Sequence, residues 1–448
     1  MEHMLKKITP ENLTLSAFCA ILLICLLLDL SVIWALLAGL VLFCAFAWKK
    51  GFGSGEIIRM IINGNRKSVN VLIILALIGM LTGIWRAGGT IAAIICWSAK
   101  LIKPEIFLLL AFLLNCGVSL LTGTSFGTAA TMGSICMGLA NAMGINPVLA
   151  GGACMSGIFF GDRCSPVSSS AMLVSEVTET DIYDNIRGMV KTSAVPFALC
   201  TAAFTIMGFF TKAVTAGTDL EAVFGREFNI SLLCALPAAI ILVFAILKIK
   251  VRITIITSIA AAIVTAAAVQ HAGAASILKT LLTGFTASNP EVGAMLNGGG
   301  FTSMAKTLMI VMISSAYAGI FDRTDLLGSI QNLIEKLSGK ITPFGGLLAA
   351  SVFSSAIACN QTLATMLCAE LCKKSIPDKQ ERAIALENSV ILIAALIPWS
   401  ICGAVPLATI GVPARTLFFS FFIWSVPLWN LIKAFACKHR KESDNGIR

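Results

Sequence analysis

Asp162 is a lone carboxylate inside an apolar stretch, Pro147–Ser175, that is long enough to cross a bilayer. A charge at that depth costs about 2.5–3.5 kcal/mol on insertion scales, so such residues pair, bind an ion or titrate. Its neighbours are Gly161, Ser165, Pro166, Ser168, Ser169 and Ser170. Glycine and proline open a helix and free backbone carbonyls. Carbonyls, hydroxyls and one carboxylate make a hard oxygen shell suited to a small cation such as sodium. The bland alternative is an Asp162–Arg163 ion pair that holds the break in place. Successive residues on a helix point apart, so Arg163 is expected to meet a different partner.

A second group of polar residues lies at Thr122, Thr124, Ser125 and Thr128, with Gly123 and Gly127 between them. Small residues of this kind also serve packing. A matching interruption at Asn360, Gln361 and Thr362 favours binding, since both amides donate and accept. Trp399 and Ser400 follow Pro398 at a further break. Glu370 and Glu387 sit near Lys373, Lys374 and Arg382 and are expected to pair in the solvated interface, with a proton relay as the alternative; Asp29 is expected at a turn. The 15 Cys are scattered through apolar runs and the 3 His join none of them, which argues against a metal cluster. A membrane enzyme would need a nucleophile–base pair or a metal cluster, and the sequence offers neither.

The elements that carry these residues are membrane helices. Apolar residues are 57% of the 448 and charged residues 12%, about half the charged share of a soluble chain. The +10 charge sits mainly in short stretches between apolar runs, as in cytoplasmic loops, and no basic patch interleaves with aromatics, which excludes nucleic acid. Lys6 and Lys7 precede a retained first span. Spans are expected over Leu13–Asp29, Ser31–Trp48, Val69–Trp85 and Ala87–Leu101, then a re-entrant hairpin over Glu105–Met143 with its tip at 121–128. Pro147–Ser175 follows, broken at 161–166, and then Arg187–Thr211, Ile230–Leu247 and Val251–Gln270. Lys306–Phe321, an amphipathic helix over Thr324–Lys340 and a hairpin over Pro343–Lys373 come next. Ala383–Gly411, broken at Pro398–Ser400 and at Gly403, and Thr416–Phe435 complete the chain.

The second half echoes the first. A shift of 236 positions carries Gly83-Ile84 onto Gly319-Ile320, Thr124-Ser125 onto Asn360-Gln361, and Asp162 onto Pro398. The loop before Val69 holds five basic residues, whereas the matching stretch Gly284–Ser303 holds none. The two halves are therefore expected to enter the bilayer from opposite sides. Lys248, Lys250 and Arg252, the cluster from Lys373 to Arg382 and the basic tail fall inside; Arg86, Lys100 and Lys103 fall outside, against the trend. The expectation is an all-α polytopic membrane protein forming a single domain over 1–448, with inverted-topology repeats at about 31–211 and 251–436. It has ten crossings, two re-entrant hairpins, broken transmembrane helices and both termini cytoplasmic. Inverted repeats with broken helices mark secondary transporters, whose site lies at the midplane.

The runs Gly123-Thr-Ser-Phe-Gly-Thr128, Phe160-Gly-Asp-Arg-Cys-Ser-Pro-Val-Ser168 and Ile397-Pro-Trp-Ser-Ile-Cys-Gly403 resemble the NhaC-type sodium/proton antiporter family of bacterial membranes. The resemblance extends from about Asn63 to Phe435, and its most specific element is glycine-aspartate-x-x-serine-proline. It implies an ion-transporter-superfamily fold and sodium- or proton-coupled antiport across the bacterial inner membrane. Asp162 would be the coupling site and sodium's ligand, with sodium or protons in place of a cofactor. Its partners are the lipid bilayer and a small cation or organic solute, and a homodimer is compatible with it. Two departures stand out: Ser169 where the family carries a second Asp, and Ser400 where it carries Asn. A less anionic cavity suits an organic acid or amino acid, so that substrate class stands as the alternative. The candidate site comprises Asp162, Thr124, Ser125, Thr128, Ser165, Ser168, Ser169, Asn360, Gln361, Thr362, Trp399 and Ser400.

Overall fold

The computed structural model describes residues 10–28, 30–99, 103–166, 168–211, 220–247, 249–324, 326 and 342–445. Lys6, Lys7, Asp29, Lys100 and Lys248 lie outside these residues, as does nearly all of the amphipathic helix expected over Thr324–Lys340. Helices account for almost every ordered element, and the one β-bridge among the described residues joins Phe285 to Gly298. The first half contains α1 (Pro10–Leu27), α2 (Val32–Lys49), α3 (Ser54–Ala87), α4 (Thr90–Ala99) and α5 (Pro104–Thr122). It continues with α6 (Ser125–Thr128), which runs through a π turn at Ala129–Gly133 into α7 (Ser134–Ala142). Then come α8 (Pro147–Cys164), α9 (Ser169–Thr178) and α10 (Ile182–Phe210). After α11 (Leu236–Ile246) and α12 (Val251–Ala268), the second half holds α13 (Ala305–Thr324), α14 (Pro343–Ala358) and α15 (Gln361–Cys372). It closes with α16 (Lys379–Glu387), α17 (Val390–Leu396), α18 (Ile401–Ile410) and α19 (Phe421–Asn445).

Six of the described helices are long and apolar enough to cross a membrane, or seven when the bent pair 379–396 and 401–410 counts as one span. The protein is a multi-pass membrane protein. Ten crossings are not reached on length alone, because several apolar segments form helices of 10–17 residues. The basic stretch before Val69 is helical and not a loop. The Glu56 carboxylate accepts from the Gly53 amide at 2.9 Å, so α3 starts at Ser54 and carries Arg59 and Arg66 within it. At 1.5 Å per residue its 34 residues reach about 51 Å, well beyond a hydrocarbon core of about 30 Å.

α3 and α13 cross antiparallel at close quarters. Gly64 packs on the Ser315 carbonyl and on Gly319, while Gly79 and Gly83 pack on Gly300. Ser315 donates to the Ser68 hydroxyl at 2.6 Å, and the Gly300 amide donates to the Gly79 carbonyl at 2.7 Å. Moving each partner by 236 positions turns the Gly64–Gly319 contact into Gly300–Gly83 and Gly64–Ser315 into Gly300–Gly79. Contacts that exchange in this way are what a two-fold relation between antiparallel segments produces. Small residues allow such backbone approach between helices where lipid supplies no hydrophobic drive.

The interrupted segments are helical hairpins. In the first, Thr122 meets Thr128 at 2.9 Å and Asn115 reaches the Cys136 thiol at 3.6 Å, so α5 and α6–α7 run antiparallel. α8 then runs parallel to α5, with Gly157 against Phe112 and Asn115 and Gly161 against Ser119 and Leu120. In the second hairpin, Ser351 on α14 meets the Cys368 thiol on α15 at 3.9 Å. Apolar packing divides similarly: one cluster surrounds α5, α7 and α8, and another joins α1 and α2 to α13–α16.

Candidate functional site

Two hairpin tips share one backbone conformation. Gly123 is left-handed (φ 60°, ψ 26°) and Thr124 extended (φ −147°, ψ 128°). Cys359 is left-handed (φ 53°, ψ 12°) and Asn360 extended (φ −141°, ψ 124°). These are the positions that the 236-residue shift superimposes. The amide closing each first arm also matches, Gly123 donating to Ser119 and Cys359 to Ser355. Glycine adopts a left-handed φ freely; cysteine does so at a cost of about 1–3 kcal/mol, and such strain clusters at functional sites. The Cys359 carbonyl accepts from the Ile401 amide at 3.0 Å, which anchors the second tip to the start of α18.

The broken spans meet these tips. α8 ends at Cys164 and α9 begins at Ser169, with Ser168 as its N-cap. Gly161 stays helical, and its missing side chain lets α5 approach: a Cβ there would stand 2.2 Å from the Ser119 carbonyl carbon. Gly403 likewise lies inside α18 and is not a break; the interruption is confined to residues 397–400. The Ser165 hydroxyl donates to the Leu120 carbonyl at 2.7 Å, and the Trp399 indole to the Ala356 carbonyl at 2.8 Å. Leu120 and Ala356 are again 236 positions apart, so each broken span is pinned to the end of its hairpin's first arm at the same place.

Asp162 is 4% exposed, and its Oδ1 accepts from the Ser125 amide at 3.2 Å. The carboxylate thus faces the first turn of α6, where unpaired amides favour negative charge. Its own carbonyl accepts from Ser168 and, at 2.9 Å, from Ser170, whose hydroxyls are 2.8 Å apart. The carbonyl freed by the break is therefore occupied by serine hydroxyls. Ser169 and Thr362 are exposed on a cavity of about 570 Å3, which Gln361, Ser170 and Pro166 also line. Gln361 Nε2 donates to the Ile391 carbonyl at 2.9 Å.

Other expected site residues shape the tips. Thr128 bonds the Thr124 carbonyl and the Thr122 hydroxyl, both at 2.9 Å. The Asn360 side chain caps α15, accepting from the Thr362 amide at 2.9 Å. Ser400 is fully buried at the start of α18, and its hydroxyl has no partner among the described residues.

Arg163 does not pair with Asp162. It is fully buried; its Nε donates to the Glu387 carbonyl at 3.0 Å, and its Nη2 to Met189, Thr192 and the Asn388 side-chain oxygen. The expectation of a solvated Glu387 is overturned. Glu387 is 0% exposed, and both its carboxylate oxygens are buried without a hydrogen bond among the described residues. Ala383, Leu386 and Glu387 share the inward face of α16, while Lys379 and Glu381 face out and Arg382 is engaged by the carbonyls of Ile376 and Pro377. α16 also ends at Glu387, and a turn at Asn388-Ser389 interrupts the span before α17. Three successive polar residues in an apolar run were the available signal. Glu370 is exposed beside Lys373 and Lys374, as expected.

Residues 157–436 match the Na+/H+ antiporter family. The Na(+)/H(+) antiporter NhaC of Bacillus subtilis is 29% identical over 420 residues, covering 90% of each chain. The protein of the same name from Alkalihalophilus pseudofirmus is 28% identical over 395 residues, 85% of each chain. A Malate-2H(+)/Na(+)-lactate antiporter of Bacillus subtilis is 25% identical over 411 residues, 89% of this chain and 87% of its own.

Proposed function

The chain belongs to the Na+/H+ antiporter family, and from that membership we propose that it exchanges sodium for protons across a bacterial cytoplasmic membrane, with Asp162 as the coupling carboxylate. One observation carries the assignment: a buried carboxylate on a broken span is held by Ser125 at a hairpin tip. A proton and a cation can each neutralise that group, but not together, which couples their movements. Ser125 orients the carboxylate; Ser165 and Ser168 hold the break; Ser169, Gln361 and Thr362 line the way in. Thr124, Thr128, Asn360, Trp399 and Ser400 set the shape of the tips and of the second break.

The two halves, at about 31–211 and 251–436, work as inverted repeats, with hairpins that re-enter the membrane from opposite sides and both termini cytoplasmic. The exchanged contacts of α3 and α13 and the matched dihedrals at 123–124 and 359–360 support this reading. A second reading, exchange of a small organic acid, is favoured by the cavity of about 570 Å3, roomier than a bare cation requires, and by the relative named for malate and lactate. Purified protein in liposomes carrying an internal pH dye separates the two. Sodium alone is expected to drive proton movement. Proton movement that appears only when malate, lactate or an amino acid is added would displace sodium/proton exchange in favour of the second reading.

A further inference from the structure

Glu387 is the charged side chain for which the coupling scheme built on Asp162 has no use. Its carboxylate is wholly buried, and neither oxygen has a hydrogen bond among the described residues. The neighbouring guanidinium does not satisfy it: Arg163 donates to the Glu387 backbone carbonyl at 3.0 Å and turns its Nη2 to Met189, Thr192 and Asn388. A bare, unbonded carboxylate in such a place is costly, so the group holds a proton or a cation. The turn at Asn388-Ser389, directly after it, opens the span at the same level.

A vestibule of about 740 Å3, lined in part by Lys191, Thr192, Asn388, Lys433 and Cys437, reaches the two side chains that accept from Arg163 Nη2. It is separate from the cavity at Ser169 and Thr362. The charged and titratable groups near enough to act electrostatically on Glu387 come from α8: Arg163, Asp162 and the Cys164 thiol. On the other packed helices, Lys191 of α10 and Lys433 of α19 stand in the vestibule. Glu176 and Glu179 of the α9 end and Glu370 of α15 are exposed. Arg382 on the same helix is held by the Ile376 and Pro377 carbonyls.

We propose that Glu387 is a second proton-carrying site of the transport core, filled from the vestibule past Asn388 and Thr192, and that it works together with Asp162. The two loaded states then differ by one charge. With Arg163 positive and both carboxylates ionised, the core carries one net negative charge and accepts one monovalent cation to become neutral. With both protonated, it carries two protons and no cation. Two interacting groups lose their protons as a pair, so sodium entry displaces protons from the pair and not from one residue. Glu387 thereby supplies the second carboxylate that Ser169 does not.

This inference rests on the sodium/proton reading, and two measurements keep them apart. Infrared difference spectra of the purified protein at neutral pH should show a protonated carboxyl band that survives Asp162→Asn and disappears in Glu387→Gln. Sodium added to weakly buffered protein should release roughly half as many protons per bound sodium in Glu387→Gln as in the native chain. Should the glutamine variant fail to fold, Glu387→Met, of similar volume, carries both tests. An unchanged band and unchanged proton release in a folded Glu387 variant would overturn the proposal, as would a purely lowered melting temperature. A native protein that shows the band but releases no protons with sodium would overturn the exchange reading and leave the protonated Glu387 standing.

Discussion

Arg163 is the residue on which the geometry behind Asp162 depends. Its guanidinium ties the end of α8 to the Met189 carbonyl and Thr192 on α10, and to the Glu387 carbonyl and Asn388 at the end of α16. Removing it would leave those buried acceptors, and the nearby carboxylates, without a cation. Arg163→Met is therefore expected to cost about 3–5 kcal/mol. Arg163→Lys should fall between, since it keeps the charge and loses the planar fork. Thermal unfolding in detergent reads both; a methionine variant as stable as the native chain would contradict this role. Asp162 was legible in the sequence because one charge stands alone in an apolar run. Glu387 was not, because its sequence neighbours Lys373, Lys374 and Arg382 look like solvated partners. Lys373 and Lys374 are exposed before α16 begins and Arg382 is held by backbone carbonyls, whereas Glu387 lies buried at the far end of that helix, and a list of neighbours along the chain does not show that.

The breaks are set by local chemistry, and most were visible in advance. Gly123, Pro166 and Pro398 interrupt helices where a left-handed or unbonded backbone is needed, and the structure breaks beside each of them. Cys359, a left-handed residue without glycine's freedom, opens the interruption expected at 359–362, and its dihedrals match those of Gly123. Gly161 and Gly403 misled in the same way, since in both the absent side chain serves helix contact and not a break. Gly161→Ala would place a Cβ 2.2 Å from the Ser119 carbonyl carbon and 2.3 Å from the Leu120 nitrogen, both backbone atoms. The expected cost is about 1–3 kcal/mol of overpacking, together with loss of transport as α5 and the Ser125 amide shift away from Asp162. Gly117→Ala, on α5 and with no atom within 4 Å of the new Cβ, should change neither the melting temperature nor the rate. Equal effects from the two substitutions would contradict the packing account.

Across the whole molecule, the proposed arrangement is one of two inverted repeats. The order of span, short helix, interrupted hairpin and broken span could be read twice in the sequence; the close crossing of α3 and α13 was not read from it, although Gly79 and Gly83, and Ser315 and Gly319, have the four-residue spacing of close-packed membrane helices. Inverted repeats require the corresponding turns to lie on opposite sides. Single cysteines at Ser54 and Lys379 should react with impermeant reagents from the cytoplasm, and one at Asn289 only from outside. Labelling of Ser54 and Asn289 from one side would end the inverted-repeat account. Such a frame has a purpose only if a coupling group lies where its breaks meet, and Asp162 is the group assigned to it. Asp162→Asn preserves size and mimics the protonated carboxyl, so it separates a coupling role from a structural one. The decisive measurement takes thermal stability and sodium-driven proton flux from one preparation of that variant in liposomes. A protein that melts like the native chain and moves no protons with sodium is the expected result; one that transports with unchanged sodium and pH dependence would contradict the assignment.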